Sequence, residues 1–161
     1  MEFAKTVQHW TDDSWLPSAS RSFLLELNPS SRQESRDEMR ILLLITFGSA
    51  GTLARYALQG LVQEWTSPTF PYGTIVVNLA GCFLLGGIGQ YALNHISFPA
   101  EWRIAVTVGF FGAFTTFSTF GWETIHMLEE GEWMRATLYV ALSLVGGLAL
   151  LRWGMYLGDH V

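Results

Sequence analysis

Cysteine is almost absent from this sequence: Cys82 is the only one among 161 residues. A single thiol cannot form a disulfide within the chain, so a disulfide-stabilised fold is excluded. Cys82 lies in an apolar stretch, where it is expected to be a small core residue.

Charged residues are also scarce, at 14% of the chain, whereas half of the residues are hydrophobic. The formal net charge is -5 and the sequence contains no basic patch, which argues against nucleic acid as a partner. This composition is typical of a protein that lies in a lipid bilayer.

The charges and glycines divide the chain after residue 38. Residues 1–38 hold 11 of the 23 charges and none of the 16 glycines. They predict a polar N-terminal extension that is disordered or loosely interfacial. Asp12 and Asp13 interrupt its only signal-peptide candidate, so no signal peptide is expected. A second hypothesis is that Met39 is the true start of the protein, and N-terminal sequencing of the native protein tests it.

Residues 39–161 contain four apolar windows, at about 41–62, 72–93, 102–128 and 134–157. Each reaches the roughly 20 residues that a helix needs to cross ~30 Å of hydrocarbon. The connections are short and contain Pro or Asn. The sequence therefore predicts an all-α membrane protein with four antiparallel transmembrane helices and both termini on one side. The many glycines favour close helix contacts and an oligomer. A mild arginine bias favours a cytoplasmic N-terminus, but the charges are so few that insertion in both orientations stays open.

Residues 109–120 read GFFGAFTTFSTF and place the hydroxyls of Thr115, Thr116, Ser118 and Thr119 within the third window. One interpretation is a kinked helix whose hydroxyls bond their own backbone. The other is an interrupted helix, whose freed carbonyls would need a new partner such as a hard cation. The pattern alone leaves both open.

Each of the other polar residues in the apolar windows can have either a structural or a functional role. Asn78 predicts either a hydrogen bond between helices or a donor that faces an anion. Arg55 and Glu123 are candidates for buried or snorkelling charges, and Tyr139 and Ser143 share one helix face at i, i+4. Tyr139 and Ser143, together with Asn78 and the third-window hydroxyls, would form a polar track.

Phenylalanines recur every third residue at 111, 114, 117 and 120. Such a stripe is usually packing. Phenyl edges carry positive polarisation, however, so rings beside hydroxyls could also solvate a small anion without binding it too tightly.

Three segments carry a resemblance to a known family: GSAGTLARY in the first window, YGTIVVNLAGCFLLG in the second and GFFGAFTTFSTFGWE in the third. Residues 39–161 resemble, over all four windows, the small fluoride channels called Fluc or CrcB. The third segment is the most specific. Thr52 and Ala113 depart from the frequent family residues, and residues 1–38 match nothing in it.

The resemblance implies an antiparallel, dual-topology homodimer with a third helix broken in mid-membrane. It further implies two fluoride pores and a structural sodium ion bound by the main-chain carbonyls of Gly112 and Thr115. The implied pore residues are Asn78, Thr116, Phe117, Ser118, Phe120, Glu123, Tyr139 and Ser143, with Arg55 structural or at the entrance.

The function implied is passive, fluoride-selective export across the inner (plasma) membrane, without enzymatic activity. An alternative is a small proton-coupled exporter of hydrophobic cations, which needs a titrating carboxylate deep in the bundle. Glu123 is the only candidate for that carboxylate. A third possibility is an assembly protein without transport, in which Asn78 and the threonines only pack.

Overall fold

The structure is a computed structural model that describes residues 17, 18, 29–66, 70–95 and 97–161. The chain divides into two compact units, Met1–Met39 and Arg40–Val161. In the described part, all regular secondary structure is helical. The helices are α1 (Pro29–Trp65), α2 (Tyr72–Asn94), α3 (residues 100–114), α4 (Phe117–Glu129) and α5 (Trp133–Gly158).

Four stretches of the described residues are long and apolar enough to cross a membrane: Gln33–Trp65, Tyr72–Asn94, Ala100–Glu129 and Trp133–Gly158. The prediction of four apolar spans is therefore confirmed. Because α1 begins at Pro29, its first turns belong to the predicted N-terminal extension. Most of that extension, residues 1–16 and 19–28, lies outside the described residues.

Glycines allow α2 and α5 to pack backbone against backbone. A Cβ added to Gly154 would collide with the Phe83 carbonyl, and one added to Gly86 would collide with the Leu151 carbonyl. The contacts of Gly86 with Leu151 and of Asn94 with Asp159 show that α2 and α5 run in the same direction. This small-residue packing is the type that associates helices in lipid.

Helix α1 packs beside α3 through Gly51, where an added Cβ would meet the Phe110 carbonyl. The rings of Phe47 and Trp102 meet edge to face, with centroids 5.8 Å apart. At the other end of α1, Gln59 lies against Gly73 at the start of α2. The chain from Arg40 onward is thus one helical assembly.

Helices α3 and α5 contain wider π-helical turns, at Ala105–Phe111 and Leu142–Gly146. The turn in α3 ends three residues before the last residue of that helix, Phe114, after which the hydroxyl-rich segment begins, and the turn in α5 contains Ser143. Such turns occur often at functional sites, because they disturb the regular hydrogen bonding of a helix.

The phenylalanine stripe is divided between two cores. Phe111 and Phe114 pack with Val77 in one buried cluster, and Phe120 packs with Tyr139 in another. Phe117 lies on the surface of the chain and is 80% exposed. A continuous stripe is not formed, because the helix does not continue from Phe114 to Phe117.

Candidate functional site

The backbone is extended at two residues between α3 and α4. Helix α3 ends at Phe114, and Thr115 has φ -85° and ψ 160°. Thr116 has φ -146° and ψ 112°, and α4 begins at Phe117. Because these angles are not helical, the backbone groups around Thr116 need partners outside the regular helix pattern.

Asn78 of α2 supplies those partners. Its Oδ1 accepts the Thr116 N–H at 2.8 Å, and its Nδ2 donates to the Thr116 carbonyl at 3.1 Å. A side-chain amide thus satisfies both backbone groups of one residue. This contact supports the interhelical interpretation of Asn78, and it leaves the second Nδ2 hydrogen for another acceptor.

Gly81 allows α2 to approach this segment closely. A Cβ at Gly81 would collide with the Thr115 methyl group and crowd the Phe114 ring. The glycine therefore keeps Asn78, one helical turn away, within hydrogen-bonding distance of Thr116.

The carbonyls of Gly112 and Thr115 are among the main-chain carbonyls that lose their regular helical donors where α3 ends. The N–H of Thr116, which would close a turn on Gly112, bonds to Asn78 instead. The N–H of Thr119, which would close a turn on Thr115, bonds to the Thr116 hydroxyl at 3.3 Å. The carbonyls of Gly112 and Thr115 are therefore available as ligands.

Thr116 also caps α4. Its hydroxyl donates to Thr119 Oγ1 at 2.8 Å while it accepts the Thr119 N–H. This is the usual N-cap pattern, in which a side-chain oxygen satisfies an N–H of the first helical turn. The hydroxyl-rich sequence therefore has a local structural role beside any role in binding.

A pocket of about 230 Å³ lies beside this segment and is called the central pocket. Its lining residues are Asn78, Cys82, Leu85, Thr115, Thr116, Phe117, Phe120, Ser143 and Leu144. The Ser143 hydroxyl is buried and has no hydrogen-bond partner among the described residues. It can donate to a small acceptor in the pocket.

Aromatic rings connect the central pocket with the next polar group. The Phe117 and Phe120 ring centroids lie 5.6 Å apart with the planes tilted by 42°. Phe120 in turn packs on Tyr139, with centroids 5.1 Å apart. Phe117, Phe120 and Tyr139, all implied pore residues, therefore lie next to one another.

Glu123 accepts hydrogen bonds on both carboxylate oxygens. Tyr139 donates its hydroxyl to Oε2 at 2.6 Å, and Thr74 donates its hydroxyl to Oε1 at 2.9 Å. Gln59 donates to the Thr74 hydroxyl at 3.1 Å. This network joins α1, α2, α4 and α5, and Tyr139 within it is fully buried.

Glu123 also lines a pocket of about 440 Å³, here called the acidic mouth. The mouth lies where α1 leads to α2 and α4 leads to α5, and its lining includes Glu123, His126, Glu130, Glu132 and Arg135. Arg135 pairs with Glu132 at 2.6 Å, and the imidazole of His126 lies 3.4 Å from Glu130. With a neutral imidazole, the mouth carries more negative than positive charge.

Two predicted residues lie apart from both pockets. Ser118 is exposed and does not line the central pocket or the acidic mouth. Arg55 is half-buried in α1, lines neither pocket, and has no ion pair or side-chain hydrogen bond within the described residues. The structure thus leaves Ser118 of the predicted polar track outside the pocket that Asn78, Thr116 and Ser143 line, and it leaves Arg55 outside both pockets.

The sequence did not identify Thr74 and Gln59 as members of the hydrogen-bond network around Glu123. Thr74 precedes Asn78 by four residues and so shares its helix face, which was an available signal. Gln59 lies in another helix, and only the tertiary contact reveals its role.

Four apolar spans and a pocket lined by uncharged donors and aromatic rings define the class of small multi-pass membrane channels and transporters. Comparison with known proteins narrows this class. The family model for "CrcB-like protein, Camphor Resistance (CrcB)" matches residues 42–155. The chain belongs to the CrcB family.

Its relatives include proteins named Fluoride-specific ion channel FluC. That of Nitratidesulfovibrio vulgaris (strain DSM 19637 / Miyazaki F) is 44% identical over 122 residues, which cover 76% of this chain and 98% of the relative. That of Geobacter metallireducens is 42% identical over 123 residues, covering 76% and 99%. That of Geobacter sulfurreducens is 46% identical over 110 residues, covering 66% and 89%. These names describe ion channels and not enzymes, and the predicted family is confirmed.

Proposed function

We propose that this protein is a passive, fluoride-specific channel that lets fluoride leave the cytoplasm across the inner (plasma) membrane. The observation that carries the proposal is the central pocket, where the unpartnered Ser143 hydroxyl lies with Asn78 and two phenyl rings. The names of relatives that align along almost their whole length support the same function.

Fluoride is small and strongly hydrated, so a selective pathway must replace its water by donors that do not hold it permanently. The central pocket offers a hydroxyl, an amide hydrogen and ring edges, and its lining contains no charged side chain. A fixed cation at this point would bind the anion too tightly for rapid passage. The lining therefore suits conduction of a dehydrated anion.

The central pocket is open on the surface of a single chain, and Phe117 beside it is 80% exposed. A second copy would cover this surface and enclose the pathway. We therefore propose a homodimer, in which the antiparallel, dual-topology arrangement expected from the family gives two equivalent pathways. In this dimer α3 and α4 form one membrane span that is interrupted near the bilayer centre.

The carbonyls of Gly112 and Thr115 fit a hard cation, because both lack their regular helical donors and carbonyl oxygen is a preferred ligand of such ions. A sodium ion held there would have a structural role, by neutralising the exposed carbonyl dipoles. One chain contributes two carbonyls, so a second copy is needed to complete a set of four.

Glu123 and Tyr139 lie between the acidic mouth and the central pocket, where they position the polar end of the pathway. Thr116 acts mainly through its backbone and its cap on α4. Arg55, half-buried and outside both pockets, fits a structural role better than an entrance role.

The alternative of a proton-coupled exporter of hydrophobic cations gains no support. Such a protein needs a carboxylate that is free to exchange a proton for its substrate. Glu123 instead has both oxygens occupied by internal donors. The relatives, moreover, carry the names of fluoride channels.

Fluoride efflux from liposomes tests the proposal. Liposomes loaded with potassium fluoride and containing the protein should release fluoride when a potassium ionophore and a proton ionophore are added. Asn78→Asp should slow release by roughly tenfold or more, because it replaces a donor to the anion and to the Thr116 carbonyl by a charged acceptor.

Protein-free liposomes and chloride-loaded liposomes are the controls. Release no faster than from protein-free liposomes, by a correctly folded protein, would reject the fluoride channel. Equal release of chloride would reject its selectivity.

A further inference from the structure

A third pocket, of about 370 Å³, lies between α2, α3 and α5 at the end of the helices opposite the acidic mouth. It is here called the Arg103 groove. Most of its lining is apolar, including Leu85, Gly89, Leu93 and Ile104, and Arg103 is the only charged residue that lines it. Leu85 lines the central pocket as well, so the two pockets lie on either side of this residue of α2.

Arg103 has no charged partner among the residues of its own chain that the structure describes. Arg103 as a whole residue is half-buried, and its guanidinium makes no ion pair or hydrogen bond within the described residues. Glu101, two positions earlier, pairs with Arg40 at 3.5 Å. A half-buried cation that faces an apolar groove is costly unless something of opposite charge covers it.

The acidic mouth has the complementary charge. Glu123, Glu130 and Glu132 face it, against Arg135 and the imidazole of His126. Arg135 is already paired with Glu132. Among the described residues, the ion pair of Glu130 is with His126, which carries a positive charge when its imidazole is protonated. An excess of negative charge there would repel an entering anion.

Arg103 and Glu130 lie at matching distances from the α3–α4 interruption. Twelve residues separate Arg103 from Thr115 and fourteen separate Thr116 from Glu130. At ~1.5 Å per residue, these spacings correspond to roughly 18 Å and 21 Å. An inverted copy related by a twofold axis at the interruption therefore brings its Arg103 to the membrane face and depth of Glu130.

We infer that the Arg103 groove of each copy receives the α4–α5 end of an inverted second copy, so that Arg103 completes the partner's acidic mouth. The inference rests on the proposed fluoride channel and deepens it. Arg103 partly neutralises the mouth and raises the local concentration of fluoride at the entrance. The positive charge at the entrance of each fluoride pathway is thus the Arg103 guanidinium of the other chain.

Cysteine cross-linking tests this arrangement in a Cys82→Ala background, which removes the one native thiol and is first shown by light scattering to be dimeric. A chain with both Arg103→Cys and Glu130→Cys should form a covalent dimer on mild oxidation in liposomes. Each single variant should stay monomeric on a denaturing gel, because the matching positions of two inverted copies lie on opposite membrane faces. Within one chain the two positions are too far apart to react.

Cross-linking by the Arg103→Cys variant alone would indicate a parallel dimer and overturn the inference. Absence of any cross-link, in a protein that is dimeric by light scattering and still conducts fluoride, would overturn the inference but leave the channel intact. Failure of the unmodified protein to conduct fluoride would reject the proposed function itself.

A flux measurement tests the role of the charge. Arg103→Gln should lower fluoride efflux by roughly threefold or more at low ionic strength, and the loss should shrink at ~1 M impermeant salt because salt screens the field. Arg152→Gln is the matched control, since Arg152 is exposed on α5 and lines none of the three pockets. An equal loss in both variants, or none in Arg103→Gln, would contradict the role of Arg103.

Discussion

At the scale of single residues, Asn78 has two tasks. It bonds both backbone groups of Thr116, and it lines the central pocket. An unsatisfied backbone group in an apolar environment costs about 1–3 kcal/mol, so the first task alone explains why an amide is placed there. Mutations of Asn78 will therefore change stability and conduction together.

Ser143 separates these two effects, because its buried hydroxyl has no partner to lose among the described residues. Ser143→Ala should change the free energy of unfolding by less than ~0.5 kcal/mol. Fluoride efflux should still fall by roughly tenfold or more, since a hydrogen bond to a charged group contributes about 1.5–3 kcal/mol. Efflux from liposomes and thermal unfolding in detergent measure the two quantities.

Thr137→Ala is the control for Ser143→Ala, because Thr137 is an exposed residue of α5 whose hydroxyl bonds its own helix at Trp133. It should leave efflux unchanged. Full efflux in Ser143→Ala would mean that the anion does not pass this hydroxyl.

At the scale of helices, the contact of α2 with α5 depends on the absence of side chains. Glycines at 86, 87, 154 and 158 let the two backbones approach, and an added Cβ would be blocked by backbone carbonyls at three of them, Gly86, Gly154 and Gly158. Backbone cannot move aside as a side chain can, so this contact tolerates little change.

Gly154→Ala should therefore destabilise the protein by about 1–3 kcal/mol, as expected for overpacking. The measurement is the midpoint of thermal unfolding in detergent. Gly60→Ala is the matched control, since a Cβ at Gly60 in α1 meets nothing within 4 Å. Alanine favours a helix over glycine by up to ~1 kcal/mol, so this variant should be neutral or more stable. Equal midpoints for the two variants would contradict the close α2–α5 contact.

The helices themselves could be predicted from the sequence better than their contacts. Length and hydropathy located four spans, because crossing hydrocarbon requires long apolar stretches. The run Thr115–Thr116 indicated a disturbed helix but left a kink and an interruption open. The partner of Thr116 is 38 residues away on α2, and no local pattern encodes such a contact.

The same limit applies to the site. Glu123, Tyr139 and Ser143 were found because polar residues are rare in apolar spans. The acidic mouth and the unpaired state of Arg103 were not predicted, because charged residues near span ends are ordinary in sequence. Only their surroundings in the folded chain make them notable.

At the scale of the whole molecule, the proposed sodium ion and the proposed dimer depend on each other. If the carbonyls of Gly112 and Thr115 from two copies share one ion, protein prepared in sodium-free N-methylglucamine buffer should lose fluoride efflux by roughly tenfold or more. Efflux should return when sodium is added back. Light scattering should show a smaller dimer fraction in the sodium-free sample.

Potassium added in place of sodium is the control for ionic strength, and it should restore less efflux if the carbonyl site selects the smaller ion. Full efflux in a sample shown by elemental analysis to lack sodium would contradict the proposed structural role of the sodium ion. The channel function itself would stand.

The pairing of Asn78 with Thr116 also constrains how the chain is made. Ribosomes synthesise α2 before α3, so the amide that completes the extended residues is already translated when Thr115 and Thr116 leave the exit tunnel. A third span that reached lipid first would expose bare peptide groups to hydrocarbon. The order of the helices along the chain thus makes the Asn78 side chain available as a partner for the Thr116 backbone while the third span is being inserted.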